Sequence, residues 1–378
     1  MMSEDLKAGA AATAHTPIRL PGLAWRRYGL LALVIASTGL AVERMLGLVR
    51  ADGFSILDAI TLVLFAATFA WITVAFWTAL AGFVLGALGR DPLSLGRRAL
   101  AAPDDGSRPT GLRTALVMPI CHEDVACVSA GLEATWRDLC DAHTREAFDA
   151  FILSDSVDPG TVAAEQAAVT ALRRRLPSGR RIFYRRRRQP TGRKAGNIAD
   201  FCRRWGGRYD ALVVLDADSI MSGDTLLTLV RTLAANPRAG MLQTVPLPIQ
   251  ARTRFARCLQ FAAHLYSPML ASGMSFWQGD TANYWGHNAI IRMSAFADHC
   301  GLPRLPGAGH WPATSSATTL SRRRSCAGPA GTCICCRTLA AATRPCRLLC
   351  STMRGGIGAG RKAICSTCAC LAPGGSTH

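Results

Sequence analysis

Tyr209-Asp210-Ala211-Leu212-Val213-Val214-Leu215-Asp216-Ala217-Asp218-Ser219 is the stretch on which the fold of this 378-residue chain turns. Ala211 to Leu215 is a short apolar run rich in β-branched residues, and it reads as a strand buried on both faces, as in a parallel sheet. It stops abruptly at two carboxylates one residue apart. The carboxyl end of a buried strand is where open α/β sheets place their ligands. Such a pair suits a hard divalent cation, Mg²⁺ or Mn²⁺, and with it a diphosphate. The same acids also suit a plainer role, starting a turn and capping the next helix, and the stretch alone leaves both open.

Working outward, strands are expected at Thr114–Ile120, Phe148–Leu153, Arg181–Tyr184 and Met241–Val245, alternating with helices at Val125–Leu139, Val162–Leu176, Ile198–Trp205 and Thr225–Ala234. That alternation predicts a doubly wound α/β sheet. Glu123, Asp155, Asp216 and Asp218 each follow a strand end, so a parallel sheet would bring them to one edge. Arg185 to Arg188, with Arg193 and Lys194, leads into the helix start at Gly196-Asn197. Cations beside a helix amino end make a diphosphate site. Taken alone, the arginine run reads instead as a solvated or lipid-facing charge cluster. A nucleic-acid surface is disfavoured, because only Tyr184 supplies an aromatic ring beside it.

The formal net charge of +18 fits a nucleic acid, an anionic lipid or a phosphorylated substrate. Residues 1–25 are expected to be disordered. Tyr28 to Val42 and the charge-free Ile60 to Leu88 read as two membrane spans within residues 26–90. Arg19, Arg26 and Arg27 before the pair, and Arg90, Arg97 and Arg98 after it, place both ends in the cytoplasm. A linker at 91–113 then leads to a cytoplasmic domain at 114–307. Six scattered cysteines there, Cys121 to Cys300, suit a reducing compartment.

Asp155, Lys194-Ala195-Gly196-Asn197 and Asp216-Ala217-Asp218, in this order, resemble the processive inverting glycosyltransferases of family 2. More narrowly, Tyr184 to Arg188, Gly196 to Trp205 and Tyr284-Trp285-Gly286-His287-Asn288-Ala289-Ile290-Ile291-Arg292 are similar to the glucans biosynthesis glucosyltransferase H family. The resemblance implies a GT-A-like nucleotide-sugar-binding domain behind a two-helix transmembrane hairpin. It also implies an inner-membrane enzyme that passes glucose from UDP-glucose to a glucan acceptor with inversion, using Mg²⁺ or Mn²⁺. On that basis Glu123 and Asp155 bind uridine, and Lys194, Gly196 and Asn197 hold the diphosphate. Asp216 lies against the nucleotide and Asp218 ligates the metal. Trp285, His287 and Asn288 line the acceptor subsite.

From about Ala308 the text changes. No Asp or Glu occurs from Gly301 to the end, and arginines and cysteines crowd in. Back-translated with permitted codons and read two bases later, Ala317 to Gly331 gives His-Asp-Phe-Val-Glu-Ala-Ala-Leu-Leu-Arg-Arg-Ala-Gly-Trp, and Leu349 to Leu371 gives a run containing Asp-Arg-Arg-Trp. Both belong in the family that this chain resembles. The tail, 308–378, is therefore expected to be a frameshifted, disordered segment with free cysteines, the GT-A-like domain to lack its C-terminal part, and the later membrane helices to be missing. The general base and the Arg-Arg-Trp motif would be lost, leaving no catalytic residue to assign.

Overall fold

The structure, a computed structural model, describes residues 22–50, 53–90, 110–141, 147–176, 179–279, 284–299, 332–335 and 364–365. The helical pair is α1 (Leu23–Val49) and α2 (Ile56–Ala87). Then follow β1 (Arg113–Ile120), α3 (Val125–Asp141), β2 (Ala147–Ser154), α4 (Pro159–Arg175), β3 (Ile182–Arg186), α5 (Arg193–Trp205) and β4 (Ala211–Val214). Next come β5 (Ser219–Ile220), α6 (Gly223–Ala235), β6 (Ala239–Gln243), β7 (Leu247–Pro248), α7 (Arg254–Gln278), β8 (Ala289–Arg292) and α8 (Met293–His299). Two short strands from the tail, β9 (Thr332–Cys335) and β10 (Ile364–Cys365), complete the set.

The main sheet runs β3-β2-β1-β4-β8-β6-β9. β1 lies parallel to β2 and β4, with Arg113 opposite Ala147 and Thr114 opposite Ala211, and β3 is parallel to β2. β8 is inserted antiparallel between β4 and β6, so the sheet is mixed rather than wholly parallel. Side-chain alternation along β1 feeds two cores. Leu116, Met118 and Ile120 pack beneath α3, α4 and α6, while Ala115 and Val117 face Ile198 and Phe201 of α5. Ala211 to Leu215 are wholly buried, as a strand covered on both faces requires.

The two apolar helices are longer than their apolar runs suggested, and each is long and apolar enough to cross a membrane. They are joined by a hydrogen bond from Trp77 Nε1 to Ser37 Oγ, 3.0 Å. Ser55 and Asp58 form a reciprocal capping box at the start of α2. Val63, Leu64, Trp71 and Phe76 of α2 are exposed. Leaving such side chains in water costs about 1.5–3 kcal/mol each, so the pair is built for an apolar surround.

α7 has no counterpart in the expected elements. It belongs to the domain by sequence but packs against α2. A Cβ on Gly82 would collide with the carbonyl of Met269, and one on Gly273 with that of Thr78, so the two backbones cross at glycine-only distance. One turn further on, Arg27 of α1 caps the carboxyl end of α7, donating to the carbonyls of Trp277 (3.1 Å) and Gln278 (2.8 Å).

Residues 1–21 and 91–109, within the expected N-terminal disorder and linker, lie outside the described residues. So does the tail, apart from β9, which pairs in parallel with β6, and β10, which lies between β5 and β7. Cys121, Cys127, Cys140, Cys202 and Cys258 are free thiols.

Candidate functional site

A cavity of about 660 Å³ opens at the carboxyl edge of the sheet. Its walls come from the turn after β1 (Cys121, His122, Glu123), the end of β2 (Asp155), the start of α5 (Arg193, Lys194, Asn197) and the segment after β4 (Asp216, Ala217, Asp218). The parallel register brings these together: Ile120 stands opposite Ser154, and Leu215 N donates to Val117 O at 2.9 Å. Residues as distant in the chain as Pro119 and Asp218 thus line one space.

The two acids after β4 are treated differently by their surroundings. Asp216 is ion-paired with Lys194, and His287 Nε2 stands 3.8 Å from its other oxygen. Lys194 also donates to Gly286 O at 2.9 Å. Asp218 has no cationic partner within 4 Å among the described residues. Burial, and then the negative charge of Asp216, push its carboxyl above the ordinary value. A half-buried carboxylate short of positive charge, beside a second carboxylate in a polar cavity, is a donor set that fits a hard divalent ion.

Asp155 is 6% exposed and is gripped at both oxygens by Arg187, at 2.7 and 2.6 Å. Arg187 also donates to Thr191 O (2.9 Å) and Arg193 O (3.3 Å), tying the loop before α5 to the end of β2. Three of the four arginines of the run are engaged within the chain, while Arg188 is exposed. Arg185 pairs with Asp200 and Asn197, Arg186 donates to Ser156 O at 3.0 Å, and Arg187 holds Asp155. Burial works to raise the Asp200 carboxyl, but the hydrogen bond from Arg204 and the charges of Arg185, Arg204 and Arg203 outweigh it and hold it below the ordinary value. A depressed carboxyl stabilises the fold above its unfolded pKa of about 3.9, and that contribution is lost as pH falls through the folded value. Asp200→Asn should therefore lower Tm at pH 7, and its gap to wild type should close on acidification below pH about 4. Thermal melts across pH check this.

Several residues expected to touch ligand also hold the fold together. The Asn197 side chain is 1% exposed; its amide donates to Leu153 O at 2.9 Å and its oxygen accepts from Arg185, so it locks α5 to β2. Gly196 permits the tight approach of the Thr191 carbonyl, which any Cβ would block. Trp285 packs against both the second core and the Val245, Leu247 and Ala271 cluster, and its backbone N–H donates to Gln243 Oε1 at 3.1 Å. Asn288 is wholly buried in the left-handed region (φ 52°), a conformation Asn tolerates better than most residues. Its backbone joins β4 to the segment after β6, donating to Val214 O (2.7 Å) and accepting from Thr244 N (2.9 Å). Of the expected acceptor trio, only His287 faces the acids. Sequence reading missed Arg187 as the partner of Asp155, and Glu165 with its three hydroxyl partners; neither pairing has a local spacing signal.

Residues 115–300 match the family described as Glycosyl transferase family 2. The chain belongs to glycosyltransferase family 2. It is 47% identical over 289 residues to a glucans biosynthesis glucosyltransferase H of Cupriavidus pinatubonensis, covering 76% of this chain and 33% of that one. The corresponding protein of Ralstonia nicotianae is 48% identical over 284 residues, covering 75% and 33%. That of Pectobacterium atrosepticum is 44% identical over 306 residues, covering 75% and 36%. The chain thus spans about a third of the length of these relatives. The fold of this glycosyltransferase domain is GT-A-like. Among solved structures, a mannosyltransferase from Pyrobaculum calidifontis in complex with GDP-Man and Mn²⁺ is 17% identical with a TM-score of 0.33, over 60% of this chain and 59% of that one. That likeness is too slight to bear on the site.

Proposed function

We propose that this chain is the donor-binding part of an inner-membrane glucosyltransferase that passes glucose from UDP-glucose to a growing glucan with inversion, and that the polypeptide as written binds the donor without transferring it. The observation that carries the donor site is the gathering of Asp155, Lys194, Asp216 and Asp218 around one cavity. Glu123 and Asp155 stand where the uridine end would lie; with Arg187 using one lone pair on each Asp155 oxygen, the others stay available. Lys194 and the amide end of α5 would meet the diphosphate. Asp218, with Asp216, would hold Mg²⁺ or Mn²⁺, which supplies charge neutralisation to a departing diphosphate. Lys194 would exchange its bond to Asp216 for the incoming phosphate, leaving that carboxylate to the metal. His287, beside Asp216, is positioned toward the acceptor side.

The membrane assignment is supported by α1 and α2, and by α7 packed on α2 with Phe255, Phe261 and Leu265 exposed. With Arg27 on α7, the start of α1 lies on the side of the domain, which supports reading that side as the cytoplasmic one. A nucleic-acid partner is disfavoured, since Arg185, Arg186 and Arg187 are engaged within the chain.

Loss of transfer is inferred from the acid-free text after Gly301, where the family resemblance expects a base. Membranes carrying this chain should bind UDP in a Mg²⁺-dependent manner yet form no polymer from radiolabelled UDP-glucose. Polymer formation would overturn the loss of transfer, and failure to bind UDP would overturn the donor site. Restoring the reading frame ahead of Ala308 separates a damaged enzyme, which would regain turnover, from a non-catalytic nucleotide-sugar-binding protein, which would not.

A further inference from the structure

Glu165 on α4 is 2% exposed, and among the described residues no cation stands within 4 Å of its carboxylate. A buried charge persists only when its oxygens are well bonded. Ser154 Oγ (2.7 Å) and the Tyr184 hydroxyl (2.8 Å) donate to one oxygen, and Ser156 Oγ (2.6 Å) to the other. Burial first, and then the hydrogen bond and charge of Glu165, push the Tyr184 hydroxyl up to about 12, so it remains a donor at neutral pH. With their protons committed to Glu165, the two serine oxygens are turned to accept backbone amides. Ser154 Oγ takes Ser156 N–H at 3.1 Å, and Ser156 Oγ takes His122 N–H at 2.9 Å. His122 is in the left-handed region (φ 55°), which a non-glycine residue holds only when its surroundings enforce it. Asp155 lies between the two serines, and Glu123 follows His122.

We propose that Glu165 is a positioning residue: through Ser154 and Ser156 its charge fixes the two turns that present Asp155 and Glu123 to the nucleoside end of the cavity. This rests on the reading of the cavity as a nucleotide-sugar site. Removing one charged acceptor, as in Glu165→Gln, or the relay hydroxyl, as in Ser156→Ala, should weaken uridine about tenfold. Binding of Mg²⁺-pyrophosphate, at the far side of the cavity, should stay within about twofold, since none of these groups touches Lys194 or Asp218.

Calorimetry with uridine and with Mg²⁺-pyrophosphate provides the test on the full chain in detergent, alongside hydrogen exchange at the His122 and Ser156 amides. Selective loss of uridine with faster exchange supports the assignment. Equal loss of both probes would reveal a general structural defect and overturn it, as would no loss of either. Should wild type bind neither probe, the nucleotide-sugar reading fails, while the exchange data still decide the clamp: unchanged exchange in Ser156→Ala overturns it. If Glu165→Gln does not fold, Ser156→Ala distinguishes the same outcomes by itself.

Discussion

Asp218→Asn should abolish the metal-dependent part of UDP binding, with an affinity loss of at least about a hundredfold in the presence of Mg²⁺. The carboxylate is half-buried, has no cationic partner within 4 Å among the described residues, and has its proton affinity raised by burial and by Asp216. Asparagine keeps the shape but removes the charge that a divalent ion would satisfy. Lys194→Gln should behave differently: it deletes a cation facing the diphosphate but frees Asp216, so some metal-dependent binding should survive. Titrating UDP with and without Mg²⁺ against the three proteins checks both. Equal UDP affinity of wild type with and without the metal would remove the basis for a metal at Asp218.

The second large effect is on stability. Arg187→Met should cost about 3–5 kcal/mol, because it leaves the Asp155 carboxylate buried without its bidentate partner. Against a total stability of about 5–15 kcal/mol, that is a large part of the margin. The substitution also strips donors from the Thr191 and Arg193 carbonyls, so the loop before α5 should loosen. The double variant Arg187→Met/Asp155→Leu should recover much of the loss, since exchanging a buried ion pair for apolar groups is often near neutral. Denaturant melts of the domain in detergent measure both. A double variant no more stable than Arg187→Met would mean that the unpaired charge is not the source of the cost.

Much of the sheet was readable because it depends on local apolar patterning. Ala211 to Leu215 announces a strand covered on both sides, and the acids that follow strand ends converge by topology alone. β8 was not legible as an antiparallel insertion. Its four residues give no direction signal, and the choice is fixed by Asn288, whose backbone spans two neighbours. α7 escaped because Pro268, Gly273 and several serines interrupt its apolar pattern, and its partner is a helix nearly two hundred residues earlier. The pairings of Arg187 with Asp155 and of Glu165 with Ser154, Ser156 and Tyr184 are tertiary facts. In one sequence, an arginine that holds a phosphate and one that holds a buried aspartate look the same. For the same reason nothing in the sequence showed that Asn197, Trp285 and Asn288, taken as ligand contacts by resemblance, also fasten the fold.

The crossing of α7 over α2 has a mechanical consequence. Glycine at both Gly82 and Gly273 leaves no compressible side chain between the two backbones, and α7 leads after a short link to Gly286, whose carbonyl holds Lys194. The joint therefore acts as a gauge block: with nothing between the helices to yield, a displacement of α2 along its axis would carry α7, and with it the cavity's lip, by the same amount.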